Sequence, residues 1–174
     1  MKDKKYFDEK EAEDLKRLNN FNNEVLHLTQ LGTTPYKHWT DASGYTRDER
    51  YFNMELKERN QSIKKDENGN YYIEGTSNQG KPYTASTLYI EQHKFCSMML
   101  DYITEGKEPI YINFLNNGVI VFNLSKLKRR PVTENKKIHS KGYGQMEIGT
   151  REGLWLTDAA IYDNNFNLIQ RPAA

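Results

Sequence analysis

Glu55 and Lys57 stand two residues apart in the segment MELKERN, which is predicted to be a β-strand. On a strand both side chains leave the same face, while Leu56 points into the opposite layer. Asp41 lies fourteen residues before Glu55, and a hairpin that turns at residues 47–50 brings it across from Glu55. Two carboxylates beside the carbonyl of Leu56 would form the oxygen cage that Mg²⁺ or Mn²⁺ prefers. Lys57 would orient or deprotonate a water for in-line attack on phosphorus, so the predicted chemistry is metal-assisted phosphodiester cleavage.

A Glu-x-Lys triplet is a weak signal by itself, because this chain contains three of them. The other two are Glu105 with Lys107 and Glu134 with Lys136. The triplet at Glu105 lies where a predicted helix ends, and the triplet at Glu134 lies in a basic segment that is predicted to be a loop. The triplet at Glu55 combines a strand, an apolar central residue and an upstream acid, so we predict that it marks the site.

Two alternatives stand beside this prediction. Asp48 is a rival acid, but it falls in the charged turn RDER, where aspartate is common for turn formation alone, so Asp41 is preferred. Glu55 and Lys57 could also belong to a surface strand of alternating charge, whose cross-strand ion pairs contribute little to stability. The position of Asp41 and the order of the surrounding elements favour the metal site.

The elements that must hold these residues can be traced by their periodicity. Residues 8–31 predict a first helix, because leucine and valine recur at helical spacing before Gly32 and Pro35. The segments HWTDASGYT and YFNMELKER predict the two strands of a hairpin. A polar excursion at residues 60–86 follows, with YYIEG as one short strand. The first half therefore predicts a helix, a hairpin and an inserted excursion.

The second half continues the alternation of helices and strands. STLYIEQHKFCSMMLDYITEG predicts a strand end and a helix that ends at Gly106, with Cys96 packed among apolar residues. IYINFLNNGVIVFNL predicts a hairpin in which Asn117-Gly118 favours a type I′ turn. Residues 125–174 predict a basic loop and a C-terminal extension. The pattern is that of an α/β domain with a mixed central sheet flanked by helices.

The composition predicts one folded domain over residues 1–174, because neither an internal repeat nor a linker divides the chain. Charged residues make up 28% of it, but twelve Tyr and seven Phe supply enough aromatic bulk for a core. Cys96 is the only cysteine, which excludes an intramolecular disulfide and a zinc site of several thiolates. No apolar run is long enough for a membrane span, and the N-terminal residues do not resemble a signal peptide, so a cytoplasmic location is predicted.

A cluster of basic residues follows the predicted hairpin. Its members are Lys126, Lys128, Arg129, Arg130, Lys136, Lys137 and Lys141, against the one acidic residue Glu134. The net charge of the chain is only +1, so a local cluster would have to attract a polyanion. The cluster predicts contacts to nucleic-acid phosphates, and its alternative is a solvated charged loop.

Residues 8–124 resemble the PD-(D/E)XK nucleases, whose core runs helix, three strands, helix, strand. The family's acid, its Glu-x-Lys pair and its helix acid correspond to Asp41, to Glu55 with Lys57, and to Glu24. The stretch YIEQHKFCSMMLDYITEGKEPIYINFLNNGVIVFNL also looks like the second half of Holliday-junction resolvases and their phage-encoded relatives, in which a glutamine, here Gln92, begins a helix. The resemblance implies a restriction-endonuclease-like core in which Glu24 and Gln92 join the catalytic set.

The resemblance further implies a Mg²⁺-dependent deoxyribonuclease, with branched junctions among its substrates, in a bacterial cell or a phage-infected host. The alternative from another class is a nuclease-like fold kept as a nucleic-acid-binding or phage-associated structural module, with its acids no longer assembled. Glu24 has the alternative role of a polar residue at a helix edge, and Gln92 that of a helix cap. DNA and a second copy of the chain are the candidate partners, and the excursion at residues 60–86 would serve as a DNA-gripping hairpin or a dimer arm.

Overall fold

Strands dominate the architecture of this protein, which is described by a computed structural model. The structure describes residues 4–34, 40–77, 79–139 and 146–173, and the side chains within residues 12–34, 40–77, 79–135 and 149–173. Two α-helices lie in these ranges, α1 (Lys4–Phe21) and α2 (Gln92–Glu105). The described strands are β1 (Thr29–Thr33), β2 (Ala42–Tyr45), β3 (Tyr51–Glu58), β4 (Gln61–Lys65), β5 (Tyr71–Thr76), β6 (Pro82–Ala85), β7 (Thr87–Glu91), β8 (Glu108–Leu115), β9 (Gly118–Asn123), β10 (Val132–His139), β11 (Met146–Trp155), β12 (Ala160–Asp163) and β13 (Leu168–Gln170).

Seven of the described strands form the central sheet, in the order β1-β2-β3-β8-β9-β12-β13. β3 and β8 run parallel, with Glu55 opposite Tyr111, and every other neighbouring pair in this sheet is antiparallel. A parallel pair needs a crossover connection, and α2 lies within it. The predicted α/β class with a mixed central sheet is therefore confirmed.

The other described strands form two smaller sheets of three strands each, in the orders β4-β5-β6 and β10-β11-β7. The first contains most of the predicted excursion at residues 60–86. The sequence predicts one strand there, whereas the structure has three. The other two, β4 and β6, are not predicted because their polar residues carry little β pattern. In the second sheet, β11 from the C-terminal half of the chain pairs with β7, the strand that precedes α2.

The central sheet separates two hydrophobic cores. On one face Ile112 of β8 packs with Leu18 of α1. On the other face Tyr111 packs with Met98 of α2 and Ile73 of β5. Successive residues of β8 thus point to opposite cores, as the period of a strand requires. Side chains on the second face of β3 consequently lie in the layer that contains α2.

The first helix is shorter than predicted. α1 ends at Phe21, a π-helical turn follows at Asn22–Leu26, and β1 occupies the end of the predicted range 8–31. His27 has a φ of +54° and donates its N–H to the Asn22 carbonyl at 2.7 Å. The Asn22 side chain accepts the Leu28 N–H at 2.7 Å. Leu28 continues the helical spacing although the helix has already ended, so periodicity alone could not reveal the break.

The predicted hairpin is present as β8 and β9, but its turn is not type I′. Its two loop residues are Asn116 and Asn117, and neither has the positive φ that a type I′ turn needs at both positions. The Asn117 side chain instead accepts the N–H of Ile63 at 2.7 Å and donates to the Ile63 carbonyl at 2.9 Å. This contact with β4 accompanies a turn conformation that local sequence rules do not predict.

The segment predicted to be a basic loop is a strand over much of its length. β10 pairs with β11 from Val132, opposite Gly153, to His139, opposite Met146. The triplet at Glu134 therefore lies on a strand, and the prediction of a loop is wrong there. Backbone pairing tolerates charged side chains on an edge strand, which explains why composition indicated a loop.

α2 ends where the sequence predicts, but one of its residues is placed differently. Gly106 has a φ of +70° and donates its N–H to the Tyr102 carbonyl at 3.0 Å, as expected of a helix C-cap. Cys96 is exposed, so the prediction that it packs in the core is wrong. It shares the outer side of α2 with Leu100 and Ile103, which are also exposed.

Candidate active site

The charged side chains of β3 enter the layer that contains α2. Leu56 packs on the other side of the sheet, in the core with α1, as the sequence predicts. Glu55 is completely buried, whereas the Lys57 side chain is 35% exposed. Burial of a carboxylate costs free energy unless positive charge or hydrogen bonds compensate. The surroundings of Glu55 therefore decide what this part of the molecule can do.

Asp41 reaches the same region from the position directly before β2. Its backbone N–H donates to the Met54 carbonyl at 2.9 Å, which continues the pairing of β2 with β3 by one residue. Its Oδ2 atom accepts the N–H of Leu56 at 2.8 Å. The predicted hairpin is present, and it sets the Asp41 carboxylate close enough to Glu55 for charge repulsion between them.

Glu91 and Lys94 complete a network of alternating charge with Glu55 and Lys57. Glu91 is the last residue of β7, and Lys94 lies in the first turn of α2. The Lys94 ammonium donates to Glu55 Oε1. The Lys57 ammonium donates to Glu91 Oε1 at 3.1 Å and lies 3.8 Å from Glu55 Oε1. Sequence reasoning missed Glu91 and Lys94 as site residues, and the available signal was a charged EQHK stretch at the predicted junction of strand and helix.

The pKa of Glu55 is raised from its ordinary value of 4.5 to about 8. Burial is the largest cause, and the nearby charge of Asp41 adds to it, while Lys94 and Lys57 act in the opposite direction. Glu55 Oε2 is buried and has no hydrogen-bond partner in the described part of the chain. The two lysines therefore do not fully compensate the negative charge of the Glu55 carboxylate.

Glu91 shows the opposite shift. Burial alone would raise its pKa, but the Lys57 ammonium, a backbone hydrogen bond and the charge of Lys94 together hold the pKa below its usual value. Glu91 Oε2 is also buried and lacks a partner among the described residues. Glu91 is therefore the ionised partner that holds the Lys57 ammonium in place.

The carboxylates of Asp41 and Glu55 are chemically suited to a magnesium-like cation. Within the described ranges, no three His, Cys, Asp or Glu side chains are grouped so that they could hold a metal ion. Mg²⁺ is commonly held by one or two carboxylates, with water and substrate phosphates filling the remaining positions, so two acids are enough. A cation between them would relieve their repulsion and give Glu55 Oε2 a partner. The Leu56 carbonyl stays a predicted third ligand.

The structure does not bring Glu24 and Gln92 into this network. Glu24 is exposed in the π-helical turn, and no hydrogen bond or ion pair among the described residues joins it to Asp41 or Glu55. Gln92 begins α2 as predicted, but its amide donates to Glu152 Oε1 of β11 at 2.8 Å. Gln92 thus ties α2 to the sheet formed by β10, β11 and β7.

Arg59 holds together the strands that carry the network. It follows β3 and donates through Nε to Asn113 Oδ1 of β8 at 2.6 Å. Its Nη2 atom donates to the Tyr89 carbonyl of β7 at 2.7 Å and to the Tyr111 hydroxyl. Three strands from distant parts of the chain are joined by one guanidinium. This contact links the end of β3, which carries Glu55, to β7, which carries Glu91.

The basic cluster predicted to bind phosphates lies partly on the surface that the structure describes. Its exposed members there are Lys126, Lys128, Arg129 and Arg130. The Arg129 guanidinium lies 5.6 Å from the centre of the Trp155 ring, and its backbone N–H donates to the buried Asp158 at 2.9 Å. Lys136 and Lys137 lie on β10 with side chains that are not described, and Lys141 lies outside the described residues.

Comparison with known proteins identifies no relative of this chain. A scan against protein-family models, a search of curated proteins and a search of solved structures each found no match. Among the described residues, neither helix combines the length and the apolar character that a membrane crossing needs. The functional conclusion therefore depends on the geometry and chemistry of the side chains.

We predict that Glu55 makes the metal-free protein lose stability as pH rises. Its pKa is about 8 in the folded chain and close to 4.5 in the unfolded chain, so the folded state binds the extra proton between these values. The stabilising contribution is fully present below about pH 4.5 and is lost as pH rises through about 8. The expected loss is on the order of a few kcal/mol, because one unit of pKa corresponds to about 1.4 kcal/mol.

The measurement is the free energy of unfolding against pH in the presence of a chelator, for wild type and Glu55→Gln. The variant should lack this part of the pH dependence and should exceed wild type in stability near pH 8. Glu91→Gln is the matched control of opposite sign, because the pKa of Glu91 is lowered in the folded chain. Its ionised form therefore stabilises the fold at a pH above the pKa of Glu91 in the unfolded chain, and this contribution is lost as pH falls through the lowered pKa. Parallel curves for wild type and Glu55→Gln would contradict the prediction.

Proposed function

We propose that this protein is a metal-dependent endonuclease of the PD-(D/E)XK type that cleaves DNA phosphodiesters. The observation that carries the proposal is the environment of Glu55. This carboxylate is completely buried and is repelled by Asp41, and its Oε2 has no hydrogen-bond partner among the described residues, although the ammonium groups of Lys57 and Lys94 both lie close to Oε1. Such an arrangement favours a divalent cation between Asp41 and Glu55, and strongly shifted groups of this kind cluster at functional sites.

The order of the elements supports the same proposal. α1 is followed by the antiparallel strands β1, β2 and β3 and, after the strands β4 to β7 of the two smaller sheets, by α2 and by β8, which runs parallel to β3. Without these four intervening strands, the order is the helix, three strands, helix and strand that a restriction-endonuclease-like core would have. In that core, the small sheet β4-β5-β6 would be an insertion between β3 and α2.

Each residue would have a distinct role in cleavage. Asp41 and Glu55 would hold the cation, and Asp41 is kept in position by the Leu56 N–H. A bound Mg²⁺ would neutralise negative charge on the phosphate oxygens as the phosphorus–oxygen bond to the leaving group breaks. Lys57, with its ammonium held by Glu91, would orient the attacking water and stabilise negative charge beside the scissile phosphate.

The exposed basic residues support a nucleic acid as the substrate. Lys126, Lys128, Arg129 and Arg130 form a run of exposed cations before β10, although the chain as a whole carries a net charge of only +1. Phosphate contacts of this kind supply sequence-independent affinity. DNA is the substrate that the family resemblance implies, and branched junctions are included in the proposal for the same reason.

The proposal predicts that purified protein cleaves DNA with Mg²⁺ or Mn²⁺ and that a chelator stops the cleavage. The two carboxylates cannot neutralise a phosphate by themselves, so activity should fall to background without the cation. Labelled four-way junction, linear duplex and RNA of matched length would be incubated at equal concentration. Cleavage that persists in a chelator would overturn the mechanism. Tight DNA binding without cleavage at any cation concentration would favour the non-catalytic nucleic-acid-binding module.

A further inference from the structure

The network around Glu55 contains one more lysine than the proposed chemistry uses. Lys57 is held by Glu91 at 3.1 Å, whereas the ammonium in hydrogen-bonding contact with Glu55 belongs to Lys94. The Lys94 side chain is only 21% exposed, so most of it lies inside the layer between β3 and α2. Lys94 therefore contacts the same carboxylate that would have to bind a divalent cation.

A divalent cation and the Lys94 ammonium would compete for Glu55. Both are positive, and repulsion between them is strong in a buried environment where the effective dielectric constant is low. Glu55 Oε1 accepts from Lys94, while Oε2 is buried and without a partner in the described part of the chain. A cation at Oε2 would repel the ammonium on the neighbouring Oε1, and a cation bound through both oxygens would displace it.

The structure also offers a second acceptor for the displaced ammonium. Glu91 lies three residues before Lys94, at the end of β7, and Lys94 is near enough for its charge to lower the pKa of Glu91. Glu91 uses Oε1 to bind Lys57, and its buried Oε2 has no partner among the described residues. Lys94 thus contacts the carboxylate of Glu55 and lies near that of Glu91, whose Oε2 accepts no hydrogen bond among the described residues.

We infer that Lys94 is a built-in counter-ion of the metal site: it occupies Glu55 while no divalent cation is bound and moves to Glu91 when a cation binds. This inference rests on the proposed metal site at Asp41 and Glu55 and adds a residue that controls its affinity. Lys94 would make cation binding weaker than the two carboxylates alone allow. It would also keep Glu55 partly compensated in the absence of a cation, which a buried carboxylate needs.

The test is calorimetric titration of the full-length protein with Ca²⁺, without DNA, at a pH of about 9, above the pKa of Glu55, so that proton competition is small. Lys94→Gln should bind Ca²⁺ about tenfold or more tightly than wild type, because the competing ammonium is absent. Lys94→Arg retains the charge and should bind like wild type. Lys64→Gln, which removes a lysine paired with Glu74 at 3.8 Å in a different sheet, should also bind like wild type.

A double-mutant cycle distinguishes displacement from a general charge effect. Glu91→Gln should weaken Ca²⁺ binding in the wild-type background, and it should do so less in the Lys94→Gln background, where no ammonium needs a new acceptor. Equal effects of Glu91→Gln in both backgrounds would overturn the movement to Glu91. Ca²⁺ affinity that is unchanged in Lys94→Gln would overturn the counter-ion role.

The outcomes also separate this inference from the proposed function. If neither wild type nor Lys94→Gln binds Ca²⁺, the metal site itself is wrong. If wild type binds Ca²⁺, Glu55→Gln does not, and Lys94→Gln binds no more tightly than wild type, the metal site stands and the inference fails. Circular dichroism and thermal unfolding of each variant identify any loss of fold, and Lys94→Arg supplies a folded comparison that keeps the charge.

Discussion

Asp41→Asn and Glu55→Gln are each expected to lower the rate of Mg²⁺-dependent DNA cleavage by about a hundredfold or more. Each substitution conserves volume and removes the negative charge that would hold the cation. In the first variant the asparagine side chain can still accept the Leu56 N–H through its amide oxygen. The loss of rate would therefore report the missing carboxylate and not a missing backbone contact.

Both variants are also expected to keep their fold, and for Glu55→Gln the reason follows from the pKa of Glu55. Burial raises the pKa of the metal-free carboxyl group to about 8 and so favours its protonated form, which a neutral glutamine resembles. The measurement is the single-turnover rate at saturating Mg²⁺, with circular dichroism as the check on folding.

Two exposed acids supply matched controls for this experiment. Asp48→Asn changes the rival acid, which pairs with Arg50 at 3.0 Å in the turn between β2 and β3. Glu58→Gln changes a glutamate of β3 that pairs with Arg17 of α1 at 2.9 Å. Both should cleave at the wild-type rate. Wild-type cleavage by Asp41→Asn, together with loss in Asp48→Asn, would show that the wrong acid was chosen.

Lys57→Ala is expected to lower the single-turnover rate by about a hundredfold while leaving DNA affinity in Ca²⁺ within about twofold of wild type. The reason is its position: the ammonium lies 3.8 Å from Glu55 Oε1 and is held by Glu91, inside the layer next to α2. In the proposed reaction, a group in that place would act on the reacting phosphate and would contribute little to binding the rest of the duplex. The measurements are single-turnover cleavage in Mg²⁺ and equilibrium DNA binding in Ca²⁺, in which binding without turnover is expected.

Lys107→Ala is the matched control for Lys57→Ala, because Lys107 belongs to another Glu-x-Lys triplet and pairs with Glu105 at 2.7 Å. It should change neither the cleavage rate nor the affinity. If Lys57→Ala lowers affinity as much as rate, Lys57 is a phosphate anchor. If it changes neither, the triplet at Glu55 has no part in catalysis, and the non-catalytic module becomes the better explanation of the fold.

Local patterns in the sequence are sufficient to predict the secondary-structure elements next to Asp41 and Glu55. The period of a strand assigns Glu55 and Lys57 to one face and Leu56 to the other, and the structure has this arrangement. The hairpin of β2 and β3 and the end of α2 at Gly106 also follow from local signals. Local patterns fail where the chain changes conformation without changing its periodicity, as at Leu28, or where a distant contact accompanies a turn, as at Asn117.

The sequence by itself determined which residues of β3 point together and that a nearby acid accompanies them, because these relations depend on a few consecutive residues. Only the tertiary structure decided that Glu91 and Lys94 join them. Their contacts with Lys57 and Glu55 span 34 and 39 residues of chain, across an inserted sheet whose length and shape no local rule describes. The burial of Glu55, and with it the raised pKa, is a property of the folded chain, in which a residue as distant as Lys94 of α2 contacts Glu55, since desolvation depends on neighbours that are distant in the sequence.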